Sequence, residues 1–332
     1  MIVVSLFNGM NTGRQALENV GIKVDKYYSS ELKPYAIELT QHHFPDTIQL
    51  GDVTKWREWD IDWEKVDLIL SGSPCQDLSI AGKRKGIEGS KSGLFFVFIE
   101  ILEHVKSLNP NIIFFQENVG SASKKDVGII SRKLGVYPVR INSSLVTAQQ
   151  RDRYYWTNIK TRELMFDVVV DIPQPNDKNI YLQDIIEHGY VDRKKARAIL
   201  QSEERIHTNM DLMHRRYKST RFGNIVYQIN PSKESGGTQP YQHNRVYSEK
   251  GKHGCLCESQ SDRTKIAFEY KGEFKIRPLS KTELCRLQGF PDNYCDILSR
   301  NKAASLLGDG WTLPVIEHIF SFINQTKNTR NE

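Results

Sequence analysis

The sequence predicts an α/β protein with a doubly wound, mainly parallel sheet and a smaller inserted domain. In residues 1–165, short apolar runs alternate with helical patterns, as βαβ units require. Between residues 166 and 276 this alternation gives way to a polar stretch rich in Gly, His and Asn. Strand and helix patterns return in residues 277–332, so we expect this segment to rejoin the first domain and 166–276 to be the insertion.

The elements of the first domain follow from apolar periodicity and from the turn residues between runs. Strands are predicted at Ile2–Phe7, Tyr27–Ser30, Ile48–Val53, Val66–Ser71, Ile112–Phe115, Val136–Leu145 and Tyr154–Ile159. Helices are predicted at Thr12–Val20, Pro34–His43, Leu94–Leu108, Lys125–Leu134 and, near the end of the chain, Val315–Ile323. Because a helix separates most successive strands, those strands should run parallel.

Composition excludes several classes of protein. No run of about eighteen apolar residues occurs, so no transmembrane helix and no membrane partner are expected. The five cysteines are too scattered for a disulfide framework, which indicates a reducing compartment, the cytoplasm. Cys255-Leu-Cys257 has no second pair to complete a tetrahedral set, so we expect no metal site.

The net charge of +6 is concentrated in one stretch of the insertion. Residues 193–221 hold nine Lys or Arg and three Asp or Glu, and this local excess of 9 − 3 = 6 equals that of the whole chain. A basic region of this kind favours a polyanionic partner. From charge alone, a solvated helix with its basic side chains facing water explains it equally well.

The carboxyl ends of the predicted strands carry the residues of chemical interest, because ligands bind there in parallel α/β sheets. Gly9 and Gly13 follow the first strand, but they lack the G-x-G-x-x-G spacing of a dinucleotide site. Glu31 ends the second strand and Asp52 the third, where carboxylates can bind ribose hydroxyls and an exocyclic amine. Together these residues indicate a nucleoside pocket, although each acid alone would more often be a helix cap or a turn residue.

Cys75 follows Pro74 at the mouth of the fourth strand, where a thiolate could reach a ligand. The loop after it, Gln76–Gly93, contains four glycines and four basic residues and could close over phosphates. The alternative interpretation is an inert small hydrophobe beside a solvated surface loop.

Taken in order, these segments resemble the DNA (cytosine-5)-methyltransferases over nearly the whole chain outside the insertion. The segments that carry the resemblance are Phe7-x-Gly9, Glu31, Asp52-Val53, Gly72-Ser-Pro-Cys75-Gln76, Glu117-Asn-Val119, Gln149-x-Arg151-x-Arg153, Arg277-Pro-Leu-Ser280, Arg286-Leu-Gln-Gly-Phe-Pro291 and Gly308 to Pro314. Two details, Cys75-Gln-Asp-Leu-Ser79 and Gly310-Trp-Thr-Leu-Pro-Val315, resemble the branch that includes the animal de novo enzymes. We expect a bacterial or phage enzyme with the class I S-adenosylmethionine-dependent methyltransferase fold.

The resemblance implies four catalytic residues. Cys75 is the nucleophile that adds to carbon 6 of a flipped-out cytosine, so that carbon 5 can accept a methyl group. Glu117 binds the ring nitrogen and exocyclic amine, and burial should favour the protonated form that donates to the nitrogen. Arg151 and Arg153 bind the base carbonyl and hold the catalytic groups, a geometry suited to planar guanidinium groups.

The resemblance also implies S-adenosylmethionine as the cofactor. Phe7 would pack against the adenine, Glu31 would bind the ribose and Asp52 the adenine amine. The other cofactor-binding residues implied are Gly9, Gly13, Leu32, Val53, Pro74, Leu94 and Trp311. One position departs from the family pattern, because Asp309 stands where Asn usually follows Gly in the last motif.

By resemblance, the insertion is a target-recognition domain and the partner is double-stranded DNA. The residues expected to contact DNA are Gln76, Ser79, Lys83, Arg84, Lys85, Arg215, Arg216, Arg221 and Arg245. For each arginine of the insertion, a phosphate contact is more common than a base contact. We expect a monomer in the bacterial cytoplasm, and both a role beside a restriction endonuclease and an independent role stay open.

Other functions fit parts of this sequence less well. A transfer RNA cytosine-5 methyltransferase would share the core and the nucleophile, but the long polar insertion favours a DNA-reading domain. A catalytically dead homologue should have lost Cys75, Glu117 or the cofactor segments, and none is lost. A Rossmann dehydrogenase would need the glycine fingerprint that Gly9 and Gly13 do not form.

Overall fold

The protein is described by a computed structural model that covers residues 1–73, 93–187 and 280–323, together with the backbone of four strands between 246 and 278. The chain divides into two compact units. The first unit contains residues 1–142, 152–175 and 312–332, and the second contains residues 143–151 and 176–311. None of the helices in the described ranges is long and apolar enough to span a membrane. The predicted functional division at residues 165 and 277 stays a prediction.

The first unit is built on a seven-stranded sheet. Numbered along the chain, the strands are β1 Ile2–Leu6, β2 Lys26–Ser30, β3 Ile48–Gln49, β4 Leu68–Ser71, β5 Ile113–Val119, β6 Val139–Asn142, β7 Gln149–Gln150, β8 Asp152–Thr157, β9 Thr161–Glu163, β10 Val168–Val170, β11 Val246–Ser248, β12 His253–Gly254, β13 Lys265–Tyr270 and β14 Glu273–Pro278. The sheet has the order β3-β2-β1-β4-β5-β8-β6. Its first five strands are parallel, whereas β8 is antiparallel to both β5 and β6. The mainly parallel sheet is therefore confirmed.

Helices cover both faces of this sheet. Numbered along the chain, the helices of both units are α1 Thr12–Asn19, α2 Pro34–His43, α3 Leu94–Leu108, α4 Lys124–Leu134, α5 Leu182–Ile185, α6 Lys281–Gln288, α7 Arg300–Asp309 and α8 Leu313–Phe320. Of these, α5, α6 and α7 belong to the second unit. On one face α8 packs against β5, with the rings of Phe320 and Phe115 5.4 Å apart. On the other face Trp156 of β8 donates a hydrogen bond to Ser131 of α4 at 3.0 Å. Helices on both faces make the fold doubly wound, as predicted.

Two strands differ from the prediction in ways that affect the site. The predicted strand Ile48–Val53 is only Ile48–Gln49, because Gly51 turns with φ 71° and Asp52 begins a 3₁₀ helix. The strand predicted at Ile112–Phe115 instead continues to Val119. Glu117 therefore lies inside β5 and not after its end, and it pairs with Tyr155 of β8.

The described part of the second unit is organised around α6. A capping box begins this helix, since the Ser280 side chain accepts from the Glu283 N–H and the Glu283 carboxylate accepts from the Ser280 N–H. Gly289 ends it with φ 77°. Cys285 is fully buried, and a hydrogen bond with the buried Cys295 thiol lowers its pKa. Both thiols are free.

Gly120, in the turn after β5, lies close to Asp152 of β8, so a substitution at Gly120 tests how tightly the chain is packed there. A Cβ at this position would lie 2.7 Å from the Asp152 carboxyl group and 2.8 Å from the Asp152 carbonyl oxygen. We expect Gly120→Ala to lower the free energy of unfolding by about 1–3 kcal/mol, measured by thermal and urea denaturation, because backbone must move to admit the methyl group.

Gly128→Ala is the matched control for this substitution. Gly128 lies inside α4, and an added Cβ there would meet only the Arg132 guanidinium, at 3.4 Å. Since alanine favours helix by ~1 kcal/mol over glycine, this variant should unfold at a higher temperature than the wild type. Equal melting temperatures for the two variants would show that the close approach at Gly120 is wrong.

Candidate active site

The loop after β1 has a strained backbone. Phe7, Gly9 and Asn11 have φ of 57°, 59° and 64°, in the left-handed region. This conformation is uncommon for residues other than glycine, and such strain costs about 1–3 kcal/mol at each of them. The Asn8 N–H donates to the Ser30 carbonyl at 3.1 Å, which ties the loop to the end of β2. The loop is thereby fixed across the carboxyl ends of two neighbouring strands.

Glu31 follows β2 and binds the same loop. One carboxylate oxygen accepts from the Gly9 N–H at 2.7 Å, and the other accepts from the N–H groups of Leu32 and Lys33 at 2.7 and 2.9 Å. These three donors fix the carboxylate in place and leave one of its roughly four lone pairs for another donor. Leu32 beside it is 66% exposed, so an apolar wall borders the carboxylate.

Asp52 lies three residues after the end of β3 and is the N-cap of the 3₁₀ helix that follows. Its Oδ1 accepts from the Thr54 N–H and from the Thr54 hydroxyl, both at 2.9 Å. The hydrogen bond from the Thr54 backbone, and then that from its side chain, lowers the pKa of Asp52. The carboxylate is therefore ionised near neutral pH and can accept from an amine. Val53, the next residue, is buried with 5% of its surface exposed.

Glu117 and Arg153 form an ion pair on the sheet. The Arg153 Nε lies 2.8 Å from the Glu117 Oε1, and the two side chains are 12% and 11% exposed. In the β5–β8 register Glu117 is opposite Tyr155 and Val119 is opposite Arg153. Glu117 and Arg153 are thus diagonal neighbours on one face of the sheet, within reach of each other's long side chains. At this separation Arg153 holds the Glu117 carboxyl group in a fixed orientation.

Gln116 connects β5 to the end of β4 on the opposite face. Its Nε2 donates to the Ser73 hydroxyl at 3.0 Å and to the Glu117 carbonyl at 2.6 Å. Gln116 is fully buried, and its Oε1 has no hydrogen-bond partner among the described residues. Sequence reasoning did not select Gln116, although a polar residue inside an apolar strand was a signal for it. Cys75 is two residues beyond Ser73 in the chain.

Several predicted site residues lie outside the described residues. They are Pro74, Cys75, Gln76, Ser79, Lys83, Arg84, Lys85, Arg215, Arg216, Arg221 and Arg245. The catalytic and DNA-binding roles given to them stay predictions, as does the cofactor contact of Pro74.

Arg151 belongs to the second unit, where it is almost fully buried with 3% of its surface exposed. Its Nη1 donates to the Gly308 carbonyl at 3.0 Å and its Nη2 to the Asp309 carbonyl at 3.3 Å. Because these hydrogen bonds use backbone carbonyls at the C-terminal end of α7, they do not depend on the side chain at position 309. Asp309, which stands where the family usually has Asn, is therefore compatible with this contact.

The structure also describes three further residues that were predicted to bind the cofactor. Gly13 is buried as the second residue of α1, and Leu94 is the first residue of α3. Trp311 is partly buried and belongs to the second unit.

Asn11 is a further candidate for the site, which sequence reasoning did not select. It is fully buried, yet neither its Oδ1 nor its Nδ2 has a hydrogen-bond partner in the part of the chain that the structure describes. A buried amide without partners is costly, so a ligand that supplies them would be favoured. The available signal was an Asn directly before a helix, where this residue tolerates a left-handed backbone.

Comparison with known proteins identifies the family. The sequence profile described as C-5 cytosine-specific DNA methylase matches residues 1–325. The chain belongs to this family. The family assignment made from the sequence is confirmed. The type II methyltransferase M.HhaI of Haemophilus parahaemolyticus is 26% identical, over 98% of this chain and 94% of its own.

A second curated relative and a solved structure agree with this assignment. The type II methyltransferase M.HpaII of Haemophilus parainfluenzae is 28% identical, over 95% of this chain and 86% of its own. The crystal structure of the S. pombe Dnmt2 methyltransferase superimposes with a TM-score of 0.62 at 15% identity and covers 99% of each chain. At that identity the superposition supports the class I methyltransferase fold alone.

Proposed function

We propose that the chain transfers a methyl group from S-adenosylmethionine to carbon 5 of a flipped-out cytosine in duplex DNA, through a covalent adduct between Cys75 and carbon 6. The main support is the buried Glu117–Arg153 pair on β5 and β8. It lies on the strand next to β4, whose end leads into Cys75. An acid held by an arginine beside a nucleophile is the arrangement that this chemistry needs.

The residues at the strand ends fit S-adenosylmethionine. Glu31 has acceptor capacity for a ribose hydroxyl, and the ionised Asp52 can accept from the adenine amine. Leu32 supplies an exposed apolar surface for the adenine, and the amide of Asn11 is buried without partners. No phosphate-binding glycine spacing is present in the Phe7–Gly13 loop, in keeping with a ligand that has no phosphate. When bound, the cofactor supplies an electrophilic methyl group on a sulfonium.

Each catalytic residue then has a defined task on the substrate. The Cys75 thiolate forms a bond to carbon 6, and the ring electron pair becomes available at carbon 5. Glu117 donates a proton to the ring nitrogen, which prevents negative charge from building up there. Arg153 holds the Glu117 side chain in place. After carbon 5 is methylated, its proton passes to water, the bond between carbon 6 and the Cys75 sulfur breaks, and the proton on the ring nitrogen returns to Glu117, which restores the aromatic ring and the thiolate.

Double-stranded DNA is the substrate that the observations favour. Two relatives that align over most of their length are named type II methyltransferases. The basic stretch at 193–221 lies in the segment that we assign to target recognition, residues 166–276. We further propose a monomer in the cytoplasm of a bacterium, since these two relatives come from bacteria. A restriction endonuclease would be its functional partner if the chain acts in a restriction system.

Methylation assays with two nucleic acids test this proposal. The purified chain is incubated with methyl-labelled S-adenosylmethionine and either mixed-sequence duplex DNA or a pool of transfer RNA. We expect label in DNA, located at carbon 5 of cytosine in one sequence context by bisulfite sequencing. Label only in transfer RNA would replace the proposed substrate, and label in neither would contradict the proposed activity.

A further inference from the structure

We propose that Tyr27 and Asn8 are positioning residues, which hold the strained loop after β1 in the conformation that binds the cofactor. This inference rests on the proposed function, because that function assigns S-adenosylmethionine to the loop. It concerns two side chains that the sequence comparison with the family did not select.

The Tyr27 side chain is hydrogen-bonded to the loop. Its hydroxyl donates to the Asn8 Oδ1 at 3.2 Å, and it also has a hydrogen bond with the Ser5 side chain. The Asn8 Nδ2 in turn donates to the Thr40 hydroxyl of α2 at 3.5 Å. The Asn8 side chain thus joins β1, β2 and α2, while its own backbone forms part of the loop.

The Asn8 backbone fixes the same loop at two further points. Its N–H donates to the Ser30 carbonyl at 3.1 Å, and its carbonyl accepts from the Asn11 N–H at 3.2 Å. The residues on either side, Phe7 and Gly9, both have positive φ. A loop that contains a strained Phe7 keeps its conformation only if the surroundings fix it. Without the Tyr27 contact, Phe7 is expected to relax toward negative φ, and the Gly9 N–H would move away from Glu31.

The hydrogen bond from the Tyr27 hydroxyl to Asn8 should not depend on pH. Tyr27 is fully buried, and the Arg14 guanidinium lies 5.6 Å from the centre of its ring. Burial raises the pKa of Tyr27 far above the physiological range. The hydroxyl therefore stays a neutral donor over the working pH range, so the loop should be held equally at pH 6 and pH 9.

The first test removes one hydroxyl. In Tyr27→Phe, we expect the KM for S-adenosylmethionine and the Kd for S-adenosylhomocysteine to rise about fivefold, the effect of one lost hydrogen bond. The kcat at saturating cofactor and the KM for DNA should change by less than about twofold. Tyr28→Phe is the matched control, because Tyr28 is the next residue of β2 and its side chain points to the opposite face of the sheet from Tyr27. It should leave all four constants unchanged.

The second test changes the acceptor. Asn8→Asp keeps an oxygen for the Tyr27 hydroxyl and should bind S-adenosylhomocysteine within about twofold of the wild type. Asn8→Leu keeps a similar volume but removes both hydrogen bonds, so its affinity should fall about tenfold or more. Calorimetric titration measures both variants, and their melting temperatures show that the folded protein was titrated.

The outcomes separate this inference from the proposed function. If Tyr27→Phe and Asn8→Leu lower only the melting temperature and leave cofactor affinity unchanged, the two residues have a purely structural role and the inference is overturned. If the wild-type protein binds neither S-adenosylmethionine nor S-adenosylhomocysteine, the proposed function itself has failed.

Discussion

Replacing Cys75 with alanine is expected to reduce methyl transfer by a factor on the order of 10⁴ or more, as loss of a nucleophile does in other enzymes. Without the sulfur, carbon 6 cannot be attacked, and carbon 5 of cytosine stays too weak a nucleophile to accept the methyl group. Single-turnover transfer of labelled methyl to duplex DNA measures this loss. Binding of S-adenosylhomocysteine and of DNA should persist in the variant.

Cys285→Ala is the control, because Cys285 is a buried thiol in α6 whose partner is Cys295. It should keep its transfer rate at temperatures where it is folded. Duplex DNA that carries 5-fluorocytosine gives an independent readout, since fluorine at carbon 5 cannot leave as a proton. The wild type should become covalently attached to such DNA, and Cys75→Ala should not. Turnover by Cys75→Ala at the wild-type rate would rule out this nucleophile.

Changing Glu117 to glutamine is expected to slow the single-turnover rate by a factor of about 10² or more. Glutamine keeps the shape and can still accept a hydrogen bond from Arg153, but it cannot deliver a proton to the ring nitrogen. Since binding groups are retained, the KM for S-adenosylmethionine should change little. The rate constant for methyl transfer, measured with excess enzyme over DNA, reports the chemical step.

Asp152→Asn supplies the matched control for Glu117→Gln. Asp152 of β8 forms an ion pair with Arg140 of β6. Their side chains are 33% and 54% exposed, and so are more exposed than those of Glu117 and Arg153. Loss of such an exposed pair costs about 1 kcal/mol or less and should change the transfer rate by less than twofold. A near-wild-type rate for Glu117→Gln would contradict the proton-donor role.

The regular part of the fold could be predicted because local signals and packing agree. α2 begins at Pro34, which is favoured in the first turn of a helix, and α3 has the apolar periodicity of a long buried helix. The end of the third strand was predicted wrongly, because Gly51 turns the chain with φ 71° and Asp52 caps the next helix. These are choices of backbone conformation, which an apolar run does not encode.

The positions of candidate residues could be predicted where the end of a strand marks them, whereas the contacts between side chains could not. Glu31 follows its strand as expected, because the end of an apolar run is visible in the sequence. Gln116 and the Tyr27–Asn8 hydrogen bond were missed. Their partners are fixed by the pairing of strands and by the packing of α2 on the sheet, and residue spacing alone does not specify that pairing.

The antiparallel return of β8 determines which changes in chain length the protein should tolerate. α4 and its flanking turns connect Val119 to β6, so residues added there can bulge into solvent. A deletion inside β8 is different, because side chains alternate between faces of a strand. Removing one residue between Arg153 and Thr157 would turn the arginine toward the opposite helical layer and separate it from Glu117. Natural variants of this fold should therefore differ in length before β6 and keep β8 constant.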